Sequence, residues 1–200
     1  MQDAVKFERR IRMDELKRRH ILDTAMKLFN ELGFHATPTS KIAKKAKISV
    51  GTLFNYFPTK EALIQEIYIQ VKMHSAKVFV QQLEENYSEH DNLKAMWKTV
   101  IKWGIENPEE FHYLELFCNS PFKKEFMHEK AMDSYKQFRQ TILASISPST
   151  ICKEYPEYSM IYIDNAIHAA TKFIIESHEV SDVDHFIDSS FELVWKGFRQ

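Results

Sequence analysis

The run SVGTLFNYF, from Ser49 to Phe57, and Lys60 just beyond it gather the groups that could hold a phosphodiester backbone and read base edges. Ser49 and Thr52 carry hydroxyls, Asn55 a carboxamide and Lys60 a charge, while Gly51 lets a backbone come close. If a helix starts at Ser49, the free amides from Ser49 to Thr52 can bind a phosphate oxygen. Thr52 and Asn55 are then the candidates for base edges, and Tyr56 and Lys60 for the backbone. Thr37, Ser49, Gly51 and Phe54 complete the candidate set.

Those groups need a scaffold, and the preceding residues supply one. Ile21, Leu22, Ala25, Leu28, Phe29 and Leu32 recur at offsets of three and four, predicting an amphipathic helix from about Asp14 to Leu32. Gly33 suits the left-handed residue that ends a helix, and Phe34 can fold back on it. Thr37-Pro38 reads as a helix start, with the hydroxyl as cap, for a short helix to about Ala46. After Lys47 and Ile48, Ser49 caps a second short helix, Val50 to about Phe57, which Pro58 stops. Thr59 caps a longer helix from Lys60. Ile42, Ala43 and Ala46 offer an apolar edge against which Ile48 and Leu53 can pack, leaving the other face of the second short helix free. Two short helices about three residues apart behind a scaffold helix have the spacing of a helix-turn-helix, here about residues 38–57.

Composition bounds the rest. The chain has 200 residues, 44% hydrophobic and 28% charged, with 4 Gly and 6 Pro, so punctuation for strands and turns is scarce and an all-α protein is expected. Further helices are expected at about 60–86, 91–106, 108–118, 123–146, 157–178 and 182–198. The net charge of −1 conceals 13 Lys or Arg against 6 Asp or Glu in residues 1–60, and 14 against 22 thereafter. A basic first third on an acidic body fits a polyanion-binding head, or a merely solvated helix. Arg9, Arg10, Arg12, Lys17, Arg18 and Arg19 could follow an adjacent backbone or form an arm. Charges interrupt every apolar stretch near the start, so no signal segment or membrane span is read and a cytoplasmic location is the expectation. Cys118 and Cys152 lack CxxC partners and are expected as reduced, buried thiols.

From Arg19 to Leu63 the sequence resembles the N-terminal domain of the tetracycline-repressor (TetR) family. Ile21-Leu22, Ala25, Leu28-Phe29, Gly33-Phe34, Thr37, Ile42-Ala43, Ala46, the run Ser49 to Phe57, and Lys60-Glu61-Ala62-Leu63 carry the likeness. The family commonly has a backbone-contacting tyrosine where Phe54 stands and a glycine where Lys47 stands. The resemblance implies a helix-turn-helix DNA-binding domain at 1–62 and a helical effector-binding and dimerisation domain at 63–200. It also implies a regulator, most simply a repressor, that leaves a palindromic operator when a small effector binds.

The acidic body names no ligand. Trp97, Trp103, Phe111, Phe117, Met127 and Phe138, with His168 as a polar handle, are candidates to line an adaptable, largely apolar cavity, although each could be ordinary core. His112, His128 and His168 lack metal-site spacing, so neither a metal nor a cofactor is expected. Ile163, Ile167, Ala170 and Ile174 on one late helix, and Ile187, Phe191, Val194, Trp195 and Phe198 on the next, form stripes broad enough for core and homodimer contact. A helical enzyme would need a catalytic constellation, and no GxSxG, HExxH or glycine-rich phosphate loop occurs. An adaptor that has lost DNA binding draws its support from the Phe54 and Lys47 departures.

Overall fold

The first helix, α1, runs Gln2–Leu32 and is 31 residues long, beginning a dozen residues before the expected start. No Gly or Pro lies between Gln2 and Leu32, and Arg, Lys, Glu, Leu and Met dominate its early turns, so nothing halts the helix there. The computed structural model describes residues 2–80, 88–123, 140, 142–144, 146, 150–177 and 179–198. Among these, the elements after α1 are α2 (Thr39–Lys45), α3 (Val50–Tyr56), α4 (Lys60–Val80), α5 (Glu89–Glu106), α6 (Pro108–Cys118), α7 (Thr150–Glu154), α8 (Pro156–Glu176) and α9 (Val183–Gly197). No strand occurs among the described residues, and the fold class is all-α. Most of the helix expected at 123–146 lies outside the described residues.

The chain forms two compact units, one of residues 1–71 with 112–126 and the other of residues 72–111 with 127–200. The sequence boundary at 62/63 falls inside α4, which continues unbroken to Val80.

In the first unit Ile21, Leu22, Ala25, Leu28 and Phe29 of α1 are buried with Ile42 and Ala43 of α2, Leu53 of α3, and Leu63, Ile64 and Ile67 of α4. Burying each of these large side chains stabilises the fold by about 1.5–3 kcal/mol. Tyr113 and Phe117 add to this core. The Tyr113 ring meets Phe34 edge-on at 5.7 Å, and its hydroxyl donates 2.7 Å to the Ile64 carbonyl. Burial raises the Tyr113 pKa well above its ordinary value, so it stays neutral and donating. Phe117 stacks on Tyr68 at 4.0 Å.

In the second unit α5 is gripped by α8 and α9. Gly104 marks where α8 comes closest, because a Cβ there would stand 2.5 Å from Thr171 Cγ2 and 3.1 Å from the Phe111 ring. Along α9 the contact is ionic and antiparallel. Lys94 pairs with Asp188 at 3.3 Å, while Lys98 and Lys102 reach Asp184 at 3.1 and 2.9 Å. Beneath this ladder Trp97 Nε1 donates 3.1 Å to Ser190 Oγ.

Two expectations are corrected. Cys118, expected buried, is exposed, whereas Cys152 is buried as expected; Cys118 is the last residue of α6, where the helix no longer faces the core. The stripes on α8 and α9 divide differently as well. Ile163, Ile167 and Ala170, and Ile187, Phe191, Val194, Trp195 and Phe198, are all spent on the unit's own core. The large apolar side chains left on the surface of these helices are Tyr158, Ile161, Tyr162, Phe173, Ile175 and Leu193 instead. Both helices are apolar on more than one side, and periodicity does not say which side faces inward.

Candidate nucleic-acid interface

The geometry begins at the end of α1. Gly33 takes φ 77°, and its amide closes the helix on the Phe29 carbonyl at 2.7 Å. Thr37 was expected to cap the next helix and to face a ligand, and it does neither. Its side chain is 0% exposed, and its hydroxyl donates back to the Gly33 and Leu28 carbonyls at 2.7 and 3.2 Å. Pro38 stands at the N-cap of α2 and supplies no side-chain bond. Thr37 therefore stabilises the α1 terminus by satisfying orphan carbonyls, and it has no side-chain surface to offer a phosphate.

The turn between α2 and α3 passes through Lys47 at φ 57°, the left-handed region where a side chain is strained and glycine is not. The Lys47 amide donates to the Lys44 carbonyl and the Ile48 amide to that of Ala43, so the turn is held from both sides. Ser49 then caps α3 as expected. Its Oγ accepts from the Thr52 amide at 3.0 Å, and it lies 2.8 Å from Thr52 Oγ1, tying the two hydroxyls together.

Leu53 is the residue of α3 that anchors it in the core. Everything else on the helix faces outward: Val50, Gly51, Phe54 and Asn55 are exposed, and Thr52 and Tyr56 half-exposed. Phe54, which stands where a tyrosine is usual, is 41% exposed. Gly51 has a normal helical backbone, and a Cβ built on it would meet only Ser49 Oγ at 3.8 Å. The fold itself does not require a glycine there, so its small size serves whatever approaches from outside.

At the far end of α3, Tyr56 is already engaged. Its hydroxyl donates to the Asp14 carboxylate of α1, and that bond raises the tyrosine pKa. A backbone contact from this hydroxyl would have to displace Asp14. Nothing in the sequence flagged the pair, which spans 42 positions. Arg18 was also underrated: its guanidinium lies 5.2 Å over the Phe57 ring and pairs with Glu66 at 2.7 Å.

Lys60 opens α4, whose first turn is capped by Thr59 Oγ1 accepting from the Ala62 amide at 3.0 Å. Among the described residues Lys60 forms no ion pair, and partial burial lowers its pKa, with Glu61 opposing the shift. A desolvated, unpaired ammonium beside an outward helix of small polar residues suits an incoming anion.

The described effector-pocket candidates divide between the two units. Trp97, Trp103 and Phe111 are buried in the second unit, where Phe111 stacks on His168 at 4.6 Å. Phe117 belongs to the core of the first unit. Met127 and Phe138 lie outside the described residues. Among the described residues no group of His, Cys, Asp or Glu gathers as metal ligands, and no helix is long and apolar enough to cross a membrane.

Comparison with known proteins agrees with this geometry. The profile of the bacterial regulatory proteins, tetR family, matches residues 21–67. The chain is 40% identical over 67 residues to the HTH-type transcriptional regulator UidR of Escherichia coli K12, a match spanning 34% of each protein. The chain thus spans about a third of the length of that curated relative. The crystal structure of a tetR family transcription regulator from Shewanella sp. PV-4 superposes with a TM-score of 0.76 at 27% identity, covering 90% of this chain and 97% of that one. The fold also matches the transcriptional regulator FadR of Bacillus subtilis, solved with stearoyl-CoA, at a TM-score of 0.69 and 16% identity over 90% of this chain and 98% of that one. The α2-turn-α3 unit lies inside the matched segment and the Shewanella likeness extends over nearly the whole fold, so the chain is similar to the tetR family of bacterial regulatory proteins in its residues 21–67 and to a tetR family regulator in its fold.

Proposed function

We propose that this protein is a sequence-specific DNA-binding transcriptional regulator, most simply a repressor, acting in the cytoplasm. The observation that carries the reading is the outer face of α3. There Gly51, Thr52 and Asn55 are presented with no role in the core, behind a capped N-terminus and beside the unpaired Lys60. Residues 1–62 serve as the DNA-binding domain. Ser49, Thr52 and Lys60 position the backbone and Thr52 and Asn55 read base edges, while Phe54 offers an apolar contact.

Residues 63–200 serve as the effector-binding and dimerisation domain. The exposed Tyr158, Ile161 and Tyr162 of α8 and Leu193 of α9 support a homodimer, because such a face is unfavourable in water unless a second copy covers it. Two copies would present two α3 helices to a palindromic operator. The stearoyl-CoA held by the FadR relative supports an effector with a large apolar part. Release from DNA then follows if effector and operator favour different arrangements of the dimer.

Selection of binding sites from a random duplex pool, followed by anisotropy on the recovered sequence, tests the reading. A palindromic site bound at least about 10³-fold more tightly than random duplex at equal salt is expected. Affinity equal to that for random duplex would overturn it.

A further inference from the structure

We propose that the exposed N-terminal turns of α1 make a second contact with duplex DNA, in which Arg10 on one flank of the helix and Arg9 with Arg12 on the other engage phosphates outside the site engaged by α3. The inference rests on the DNA-binding reading above, and three observations lead to it. First, α1 is continuous from Gln2, yet from Phe7 to His20 its side chains are exposed or half-exposed and Ile21 is the first buried one after them, so about four turns stand outside the core. A helix this far beyond its packing surface gains little stability from it.

Second, the root of the overhang is fixed beside α3. Asp14 is bonded to Tyr56 at the last residue of α3, and Arg18 bridges Phe57 and Glu66. Arg10 lies one turn from Asp14, about 6 Å along the axis, so a duplex seated on α3 comes within reach of its long side chain. Third, the guanidinium groups are not neutralised: among the described residues Arg9, Arg10, Arg12 and Arg19 form no ion pair. At the root, Arg12, Arg18 and Arg19 line a cleft of about 350 Å³ with Glu15, Leu16 and Gln70. A phosphate there would meet three guanidinium groups and one carboxylate.

An anionic membrane surface would attract the same charges, but it demands one apolar face. Phe7 and Ile11 share the line of α1 that continues to Leu22, Ala25 and Phe29, whereas Met13 and Leu16 lie more than about 100° round the helix. The apolar side chains are split: Arg10 and Arg12 fall in the two gaps between them, and Arg9 falls between Leu16 and Met13.

The test measures anisotropy of the full chain on a random-sequence duplex of about three turns, across roughly 50 to 200 mM salt. Each phosphate neutralised contributes about 0.9 to the slope of log affinity against log salt. The triple variant R9Q/R10Q/R12Q is expected to flatten the wild-type slope by about 2 to 3. A control removing three charges elsewhere, K77Q/K153Q/K196Q, is expected to leave it unchanged. If the arginine variant keeps the wild-type slope, or the control flattens it equally, the inference is overturned and the DNA-binding reading stands. Absence of any salt-dependent duplex binding by the wild type would instead remove the reading beneath it. Wild-type binding to phosphatidylserine vesicles that the arginine variant loses, with its DNA slope intact, would assign the overhang to lipid and overturn the proposal.

Discussion

Two sets of cations, one in each unit, are handled in opposite ways. On α5 of the second unit, Lys94, Lys98 and Lys102 step along the helix at intervals of four, and each meets an aspartate of α9. In the first unit Lys60, Arg9, Arg10, Arg12 and Arg19 meet none among the described residues, while Arg18 is matched to Glu66. Net charge alone does not distinguish a lysine that binds its own protein from one available to a ligand. Pairing does: a cation matched by its own fold is spent on assembly, and an unmatched cation next to small, outward polar groups is available to an anion.

The sharpest way to break this contrast is to remove the open side. Replacing Thr52 and Lys60 by alanine is expected to cost about 1–3 kcal/mol in operator affinity for the lost base contact and to flatten the salt slope by about 1 for the lost phosphate. Thermal stability and dimerisation should be unaffected, as sedimentation and melting curves would register. Gly51→Ala separates fold from contact in one residue. With only Ser49 Oγ near its Cβ, at 3.8 Å, alanine should stabilise the helix by about 0.5–1 kcal/mol in chemical denaturation while weakening duplex binding. Unchanged binding would mean that α3 does not approach the groove closely.

Tyr56→Phe asks whether a group already engaged still counts as open. Loss of its bond to Asp14 should cost about 0.5–1 kcal/mol of stability and leave the operator salt slope unchanged; a flattened slope would return Tyr56 to the backbone anchors. The raised tyrosine pKa fixes the sign of the pH effect. The neutral form is favoured on folding, so this contribution is present below about pH 10 and lost as pH rises beyond it.

The smallest effect belongs to the closed side. Lys98→Gln with Lys102→Gln should lower the melting temperature slightly at low salt, the difference closing as salt screens the ladder. The operator salt slope should not change. Hydrogen bonds from Lys102 and Lys98 lower the Asp184 pKa, so the support it gives is present above about pH 4 and lost as pH falls through its folded value. Melting of Asp184→Asn against wild type should therefore show a gap at pH 7 that disappears in acid.

Much of the interface was legible because it is local. Gly33 ending α1 and Ser49 capping α3 are decided by residues within four positions, and sequence spacing reports such events directly, whereas the left-handed Lys47 was implied only by the resemblance, through the glycine usual at its place. Thr37 misled because a threonine before a proline reads as a cap, while its hydroxyl turned back onto α1. The pairs Asp14 with Tyr56 and Lys94 with Asp188 join residues that only the tertiary fold brings together. The start of α1 was missed for a different reason: amphipathic patterning detects the buried stretch and is blind to the helix that continues beyond it.

The two cysteines give the protein a built-in pair of chemical probes. Cys118 is open to solvent and Cys152 is closed off, so a maleimide dye in brief reaction should modify the first alone, in a unit that also contains α3. The second thiol becomes a clock. Its labelling rate reports how often the α7 region opens, and an effector that tightens the body should slow that reaction before any change in DNA occupancy is measured.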